Sequence, residues 1–217
     1  MAKGPAMSRE EAVKAIEVGI SMVADLKEKG YNVLATGEMG IGNTTTSSAV
    51  CSVLLDQSVE KVTGKGAGLT NKDLEHKIEV IRQSIALNKV NADDPLDVLA
   101  KVGGLDIAGM AGCYIGGAAL NIPVFIDGFI SSVAALIAIR LVPECAPYLF
   151  PSHCSNEPAG RMILDAIGKQ PYILANMCLG EGTGAVMGFT IADYAFKAYW
   201  ELPSFEQTNF GTYEELN

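Results

Sequence analysis

Two glycine-rich segments, each between a short apolar run and a helix-compatible run, constrain the fold of this chain more than any other feature. The first, GEMGIGNTT at 37–45, follows the apolar residues 33–35 and leads into a helical pattern over 45–55. Glycines at such a junction let backbone N–H groups close on an anion at the start of a helix. The second, LGEGTGA at 179–185, repeats the arrangement downstream. The pattern predicts a nucleotide site framed by two loops, each carrying one glutamate.

Neither segment matches the common nucleotide fingerprints. A Walker A motif needs a lysine before Ser/Thr, and Asn43 takes that place, which argues against ordinary ATPase or GTPase chemistry. The dinucleotide fingerprint G-x-G-x-x-G has its spacings in the opposite order from Gly37, Gly40 and Gly42. A tight turn without a ligand is the alternative for either loop taken alone.

Short apolar strands alternate with helical patterns along the chain. The strands are predicted at 33–35, 124–126, 148–150 and 172–175, and the helices at 8–29, 45–55, 70–91, 95–101, 106–120, 129–139, 157–167 and 182–200. This alternation predicts an α/β fold, a Rossmann-like three-layer sandwich with a mostly parallel sheet flanked by helices. No repeat or linker divides the chain. Residues 1–202 are therefore interpreted as a single nucleotide-binding catalytic domain, followed by a loosely held acidic tail at 203–217.

The first helix carries the clearest local signals. Ser8 and Glu11 have the spacing of a capping box, and Gly30 stands where the helix should end. Apolar residues recur between them at helical spacing: Ala12, Ile16, Ile20, Val23 and Leu26. We therefore expect one face of this helix to pack on the core.

The charge balance and the cysteines exclude several classes of protein. Lys+Arg number 16 against 25 Asp+Glu, a net charge of −9, and no basic run stands out, so neither nucleic acid nor a membrane is an expected partner. The most apolar stretch, 122–142, is broken by Asp127, Gly128 and Arg140. Five irregularly spaced cysteines predict buried reduced thiols, with no metal site and no disulfide frame. Residues 1–9 lack an apolar signal region, and a cytoplasmic protein is expected.

Three carboxylates follow predicted strands: Glu38, Asp127 and Glu181. Ligands of parallel sheets bind beyond the carboxyl ends of the strands, where the helices begin, so we expect these three groups in one cleft. Glycines on both sides of Glu181 would let a substrate approach its carboxylate closely. The alternative is a carboxylate that only complements the dipole of the helix that follows.

The ordered segments GEMGIGNTT, TGKGAGL, GGLDIAGMAG, PVFIDGFISSVAAL, SHCSNEPAG and LGEGTGA resemble those of the nicotinate-nucleotide–dimethylbenzimidazole phosphoribosyltransferases. The resemblance runs from residue 4 to residue 205. It implies transfer of the phosphoribosyl group of nicotinate mononucleotide to 5,6-dimethylbenzimidazole, which gives alpha-ribazole phosphate in the lower-ligand branch of cobalamin biosynthesis. It implies no cofactor, and it implies a homodimer.

The resemblance also implies roles for individual residues. Glu181 corresponds to the catalytic glutamate that takes the proton of the attacking benzimidazole. Glu38 corresponds to a second catalytic carboxylate, which either hydrogen-bonds ribose hydroxyls or stabilises the developing cation. The resemblance implies that Lys77 contacts the nucleotide phosphate. The spacing of the apolar residues on its helix places Lys77 at the boundary of the core. The alternative is a solvated surface lysine. The other substrate-binding candidates are Gly40, Gly42, Asn43, Thr44, Thr45, Asp106, Asp127, Ser155, Gly180 and Gly182. For Asp106, a helix N-cap is an equally good interpretation.

His153 lies in the same kind of loop and, with Ser152 and Asp127, could suggest a hydrolase triad. Ser152 lacks the G-x-S-x-G context of a nucleophile elbow, which argues against that triad. Two positions depart from the family pattern: Cys178 stands where an arginine often precedes LGEGTGA, and Gly160 where a histidine often follows the Glu-Pro turn.

Members of that family usually have longer chains, and the unmatched part is expected at the N-terminal end, where it supplies part of the base pocket. Three functions therefore stay open. These are an active phosphoribosyltransferase, a truncated and non-catalytic nucleotide-binding domain, and one subunit of a split enzyme completed by an N-terminal chain. A generic Rossmann-like cofactor binder is disfavoured by the order of the glycines. Apolar surface on the helices at 106–120 and 131–139 is expected to support a two-fold dimer.

Overall fold

The sheet consists of three short parallel strands with the second strand in the centre. The computed structural model describes residues 1–208. The strands pair in chain order as β1 (Leu34–Ala35), β2 (Val124–Ile126) and β3 (Leu149–Pro151). All three strands lie within one residue of their predicted positions. The parallel sheet with helices around it confirms the predicted α/β class.

The helices that flank this sheet follow the predicted order. They are α1 (Arg9–Glu28), α2 (Thr44–Leu54), α3 (Val59–Val62), α4 (Asn71–Asn88), α5 (Pro95–Val102), α6 (Leu105–Ala119), α7 (Phe129–Leu141), α8 (Gly160–Ala166) and α9 (Thr183–Glu201), with a 3₁₀ helix at Pro143–Tyr148. The short α3 and the 3₁₀ helix were not predicted, because neither is long enough to show a hydrophobic period. Helix α8 begins three residues later than predicted, after a turn closed by a Gly160 N–H to Glu157 carbonyl bond of 2.8 Å.

The strand predicted at 172–175 is wrong. The segment makes an isolated parallel bridge, in which Ile173 pairs with His153. Its N–H donates to the Ser152 carbonyl at 3.0 Å, and its carbonyl accepts from the Cys154 N–H at 3.1 Å. The next residue, Leu174, is 76% exposed, and Asn176 has a φ of 50°, which is not the conformation of a strand. An apolar run alone could not show that its pairing stops after one residue.

Helix α1 begins and ends as the sequence predicts. The Ser8 hydroxyl accepts from the Glu11 N–H at 3.1 Å, and the Glu11 carboxylate accepts from the Ser8 N–H at 2.7 Å, so the capping box is confirmed. The helix packs closely along α6. A Cβ on Gly19 would clash with the backbone carbonyl of Gly109, and one on Gly112 with the carbonyl of Ile16. The small residues of α6 are therefore explained by backbone contact between the two helices.

Helix α7 is the centre of the core. Every residue from 129 to 138 is buried, and α2, α5, α6 and α8 pack around the helix. The prediction that α6 and α7 leave apolar surface exposed is therefore wrong, because helices rather than the small sheet cover them. Exposed apolar side chains lie instead on α9, where Tyr194 is 69% exposed and Trp200 is 76% exposed.

Residues 209–217 of the predicted acidic tail lie outside the described residues. Within residues 1–208, no helix is both long enough and apolar enough to cross a membrane. The interpretation of residues 1–202 as one domain stays a prediction.

Candidate functional site

The carboxyl ends of the three strands open into a cavity of about 170 Å³. Both glycine segments contribute to its wall, together with the loops after β2 and β3. Six of the predicted site residues line it: Glu38, Gly40, Thr44, Asp127, Ser155 and Gly180. The placement agrees with the general position of ligand sites in parallel sheets.

The first glycine loop connects β1 to α2. Gly40 and Gly42 have φ values of 89° and 83°, a region that side chains rarely adopt. The Glu38 carboxylate folds back on the loop and accepts from the Gly40 N–H at 2.5 Å. Helix α2 then begins after Asn43, whose side chain makes no capping bond. The N–H groups in the first turn of α2 can therefore receive an anion.

Asn43 and Asp106 bind each other. The Asn43 amide donates to the Asp106 carboxylate at 2.7 Å, which joins the start of α2 to the start of α6. The N-cap interpretation of Asp106 is wrong, because α6 begins at Leu105 and its N-cap is Gly104. Thr45 follows in the same turn of α2 and is half-buried; it is not among the residues that line the cavity in the described part of the chain.

Lys77 is buried, with 7% of its surface exposed. Its ammonium donates to the Thr44 hydroxyl at 2.9 Å and to the Gly64 carbonyl at 3.0 Å. Both the boundary position and the solvated alternative are therefore wrong. Burial lowers the pKa of Lys77, and the nearby charge of Glu157 opposes that shift. Lys77 lies on the buried face of α4. Its burial is possible because the ammonium donates hydrogen bonds to oxygen atoms inside the protein.

Glu157 is a cavity residue that the sequence did not single out. It lies in the turn before α8, is half-buried and lines the cavity. Burial raises the pKa of its carboxyl, while Lys77 and the Gly66 N–H lower it. Its Oε2 is shielded from solvent and has no hydrogen-bond partner in the described part of the chain. The segment SHCSNEPAG contains Glu157, but the spacing of residues along the sequence does not predict that this glutamate lies near a lysine on α4.

Asp127 holds the second glycine loop. Its carboxylate is 1% exposed and accepts three backbone N–H groups: from Gly182 at 3.0 Å, Gly184 at 2.9 Å and Ala185 at 3.2 Å. These groups surround the N-terminus of α9, where a negative charge is favourable. Asp127 thus fixes the start of α9 from the end of β2, in addition to lining the cavity.

Asp127, His153 and Ser152 do come together, but not as a hydrolase triad. The Ser152 hydroxyl and the Asp127 carboxylate approach the same ring nitrogen, Nδ1 of His153, at 3.1 and 4.0 Å. A triad requires them on different nitrogens. Ser152 is also fully buried and donates to the Ile126 carbonyl at 2.7 Å. Burial lowers the pKa of His153, against the attraction of Asp127.

The two glycine loops touch each other beside the cavity. The Glu181 N–H donates to the Glu38 carbonyl at 2.9 Å, and a Cβ on Gly37 would lie 2.5 Å from the Gly182 nitrogen. Gly180 and Gly182 have φ values of 76° and 79°, and Glu181 itself has a φ of 59°. Glu181 is exposed and adjoins the cavity-lining Gly180. The structure thus brings Glu38 and Asp127 into the cavity wall and places Glu181 next to it.

The cysteines follow the prediction only in part. Cys51 and Cys145 are buried, and burial raises the pKa of Cys51 to about 12 and that of Cys145 to about 11. Cys178, in contrast, is exposed and lines the cavity, so the prediction of a buried thiol is wrong there. Residues 174–176 are exposed as well, so the chain already lies on the surface before it reaches Cys178. No cluster of metal-ligating side chains occurs among residues 1–208.

Comparison with known proteins identifies close relatives. A family model described as "Phosphoribosyltransferase" matches residues 1–210. The chain is 55% identical over 214 residues to the nicotinate-nucleotide–dimethylbenzimidazole phosphoribosyltransferase of Ruminiclostridium cellulolyticum, covering 99% of this chain and 61% of that protein. It is 52% identical to the protein of the same name from Acetivibrio thermocellus, with the same coverage of both chains.

A solved structure is similar over the same part of the chain. The crystal structure of CobT from Thermus thermophilus superimposes with a TM-score of 0.90 at 34% identity, over 97% of this chain and 62% of that one. This similarity confirms the fold. The chain spans about 61% of the length of the curated relatives it matches.

Proposed function

The chain belongs to the phosphoribosyltransferase family, and on that premise we propose that it transfers the phosphoribosyl group of nicotinate mononucleotide to 5,6-dimethylbenzimidazole. The products are nicotinate and alpha-ribazole phosphate, in the lower-ligand branch of cobalamin biosynthesis. The observation that carries this proposal is the buried Lys77, bonded to Thr44 at the first turn of α2 and beside the cavity.

The phosphate of the nucleotide is proposed to bind at this first turn. The chain has a net charge of −9, so a phosphate needs a local source of positive charge. The N-terminus of α2 supplies oriented N–H groups, and Lys77 supplies a full charge behind Thr44. The remaining proposed substrate positions are Gly40, Gly42, Asn43, Thr45, Asp106, Asp127, Ser155, Gly180 and Gly182.

The chemistry needs few protein groups. The bond from the ribose to the nicotinate nitrogen breaks, and a bond to the benzimidazole nitrogen forms through a transition state like an oxocarbenium ion. Glu38, whose carboxylate lines the cavity, is proposed to stabilise that positive charge. Glu181 is proposed to accept the N–H proton of the benzimidazole as general base. Asp127 positions the loop that carries Glu181 through its three backbone bonds.

Released nicotinate, measured after mixing the chain with both substrates, tests the proposal. We expect Glu181→Gln to lower turnover by about 10²–10⁴-fold, because the amide keeps the shape but cannot accept the proton. Glu144→Gln, on the exposed 3₁₀ helix, is the matched control and should retain the wild-type rate. Wild-type turnover in Glu181→Gln would remove Glu181 from the role of base. No nicotinate release from the wild-type chain would favour a non-catalytic nucleotide-binding domain.

The exposed surface of α9 supports a proposal on assembly. The residues of this helix that are buried are Gly184, Ala185 and Gly188, and Phe189 packs against Phe125. Seven other large apolar side chains of the helix are exposed: Val186, Met187, Ile191, Tyr194, Phe196, Tyr199 and Trp200. An apolar patch of this kind is typical of an interface. We propose that a second copy in a homodimer covers it, with a complementing N-terminal chain as the alternative. Sedimentation of the chain as a monomer at about micromolar concentration would contradict the homodimer.

The proposed compartment is the cytoplasm, where free cysteines such as those of this chain stay reduced.

A further inference from the structure

The segment 64–66 connects a buried lysine to a half-buried glutamate. The Gly64 carbonyl accepts from the Lys77 ammonium at 3.0 Å, and the nearby Gly66 N–H lowers the pKa of the Glu157 carboxyl. Gly64 has no room for a side chain, because a Cβ there would clash with the Glu157 carboxylate. Thr44, Gly66 and Glu157 all line the cavity. The two oppositely charged side chains therefore both approach Gly64, beside the place proposed for the phosphate.

The two charges offset each other in the free protein. Lys77 donates to Thr44 and Gly64, and Glu157 lies near enough for its charge to oppose the effect of burial on the lysine. Among residues 1–208, none donates a hydrogen bond to Oε2 of Glu157, and this oxygen is shielded from solvent. A buried carboxylate oxygen without a donor is unfavourable. A proton on that oxygen would convert it from an unpartnered acceptor into a donor.

A phosphate monoester bound at Thr44 would bring about 1.5–2 negative charges next to Glu157. Two anions would then share a single lysine in a partly desolvated site. Like charges at short range favour the neutral form of a carboxyl group, as burial already does for Glu157. Electrostatics alone thus disfavours a phosphate dianion and an ionised Glu157 side by side.

We propose, on the basis of the function proposed above, that Glu157 takes up a proton from solvent when the nucleotide phosphate binds. The neutral carboxyl no longer repels the phosphate, and the phosphate replaces Glu157 as the counter-charge of Lys77. Glu157 is therefore a binding residue whose protonation is coupled to phosphate recognition.

The other charged groups around the cavity are held differently. Glu38 is bonded to the Gly40 N–H, and Asp127 accepts three backbone N–H groups. Burial lowers the pKa of His153, against the attraction of Asp127. Lys65 is exposed on the connecting segment, and Arg161 on α8 is exposed and paired with Asp165. Glu157 is thus the carboxylate here that combines a shielded, unpartnered oxygen with proximity to the buried lysine.

Calorimetric titration with nicotinate mononucleotide, at pH 7 in two buffers of different ionisation enthalpy, measures the protons taken up on binding. We expect the wild-type chain to take up about one proton more per nucleotide than Glu157→Gln. The phosphate of the free nucleotide titrates near pH 6, and this contribution is common to both titrations. The infrared measurement described below distinguishes a proton on Glu157 from a proton on the bound phosphate. Glu144→Gln should keep the wild-type count. Nicotinate riboside, which lacks the phosphate, should give no difference between the wild type and Glu157→Gln.

The same coupling sets the direction of the pH dependence. Because binding consumes a proton, the wild-type affinity should fall relative to Glu157→Gln as the pH rises above the pKa of Glu157 in the free protein. The fall approaches about tenfold per pH unit until the pKa of the bound state is reached. Equal proton counts in the wild type and Glu157→Gln would overturn this inference but not the proposed function. A wild-type chain that does not bind nicotinate mononucleotide would overturn the proposed function, and this inference with it.

A second measurement uses only the wild-type chain and so does not depend on the folding of a variant. An infrared difference spectrum with and without nicotinate mononucleotide should show a new carbonyl band of a protonated carboxyl group. A spectrum without this band, recorded at saturating nucleotide, would also overturn the inference.

Discussion

The three backbone bonds to Asp127 make Asp127→Asn the most informative test of how the second loop is held. In the wild-type chain one carboxylate oxygen accepts from Gly184 and Ala185, and the other accepts from Gly182 at 3.0 Å. Asparagine keeps a single acceptor oxygen. If that oxygen keeps the two bonds to Gly184 and Ala185, the amide NH₂ faces the Gly182 N–H, so that two donors oppose each other.

The cost of this change follows from the bonds that it removes. A hydrogen bond to a charged group contributes about 1.5–3 kcal/mol, and a charge at a partly buried helix N-terminus contributes up to about 2 kcal/mol. The two contributions overlap, because the bond to Gly182 is itself part of the interaction with the N-terminus of α9. We therefore expect the free energy of unfolding to fall by about 2–4 kcal/mol in Asp127→Asn.

Urea denaturation followed by circular dichroism measures this loss, and an unchanged slope would show that the denatured state is the same. Asp165→Asn is the matched control. Its side chain is 53% exposed and bonded to the exposed Arg161, so we expect a change within about 0.5 kcal/mol. Nicotinate release should also fall in Asp127→Asn, since Glu181 lies on the loop that Asp127 holds. A loss of stability no larger than that of the control would refute the proposed anchoring role.

Two further substitutions test the cation and the packing of the first helix. Lys77→Met keeps most of the buried volume but removes the charge, so it should weaken binding of nicotinate mononucleotide by about 1.5–3 kcal/mol, roughly 10–150-fold. The affinity for nicotinate riboside should not change. Equal calorimetric affinities of the wild type and Lys77→Met for the mononucleotide would leave Lys77 with a purely structural role. Gly19→Ala places a methyl group against the backbone of α6 and should lower the free energy of unfolding, measured in urea, by about 1–3 kcal/mol. The control, Val18→Ala on the exposed face of α1, should change the free energy of unfolding by less than about 0.5 kcal/mol. A neutral Gly19→Ala would contradict the close contact.

Local signals in the sequence predicted the elements well. The capping box of Ser8 and Glu11, the helical period of α1 and the glycine loop before α2 each depend on residues within a few positions of one another. The prediction of a fourth strand was wrong because pairing depends on residues that are distant in the sequence. The apolar run at 172–175 has a strand-like composition, but a strand exists only where a neighbour pairs with it, and Ile173 alone is paired.

Periodicity also misplaced Lys77. The aliphatic residues of α4 predicted an inward face that left the lysine at the edge of the core. Its partners, Gly64 and Thr44, lie 13 and 33 positions away along the chain. Whether a lysine can be buried depends on such partners, which a hydrophobic pattern does not describe.

The sequence by itself determined the α/β class, the order of the elements, the two glycine loops and the resemblance to a phosphoribosyltransferase. Only the tertiary structure decided that Asp127 anchors a loop 55–58 positions downstream, that Lys77 is buried, and that Glu157 lies beside it. The reason is physical. Turns, caps and periods arise from the backbone conformations of neighbouring residues, whereas the state of a buried charge depends on every oxygen, N–H group and charge that folding brings within a few ångströms of it.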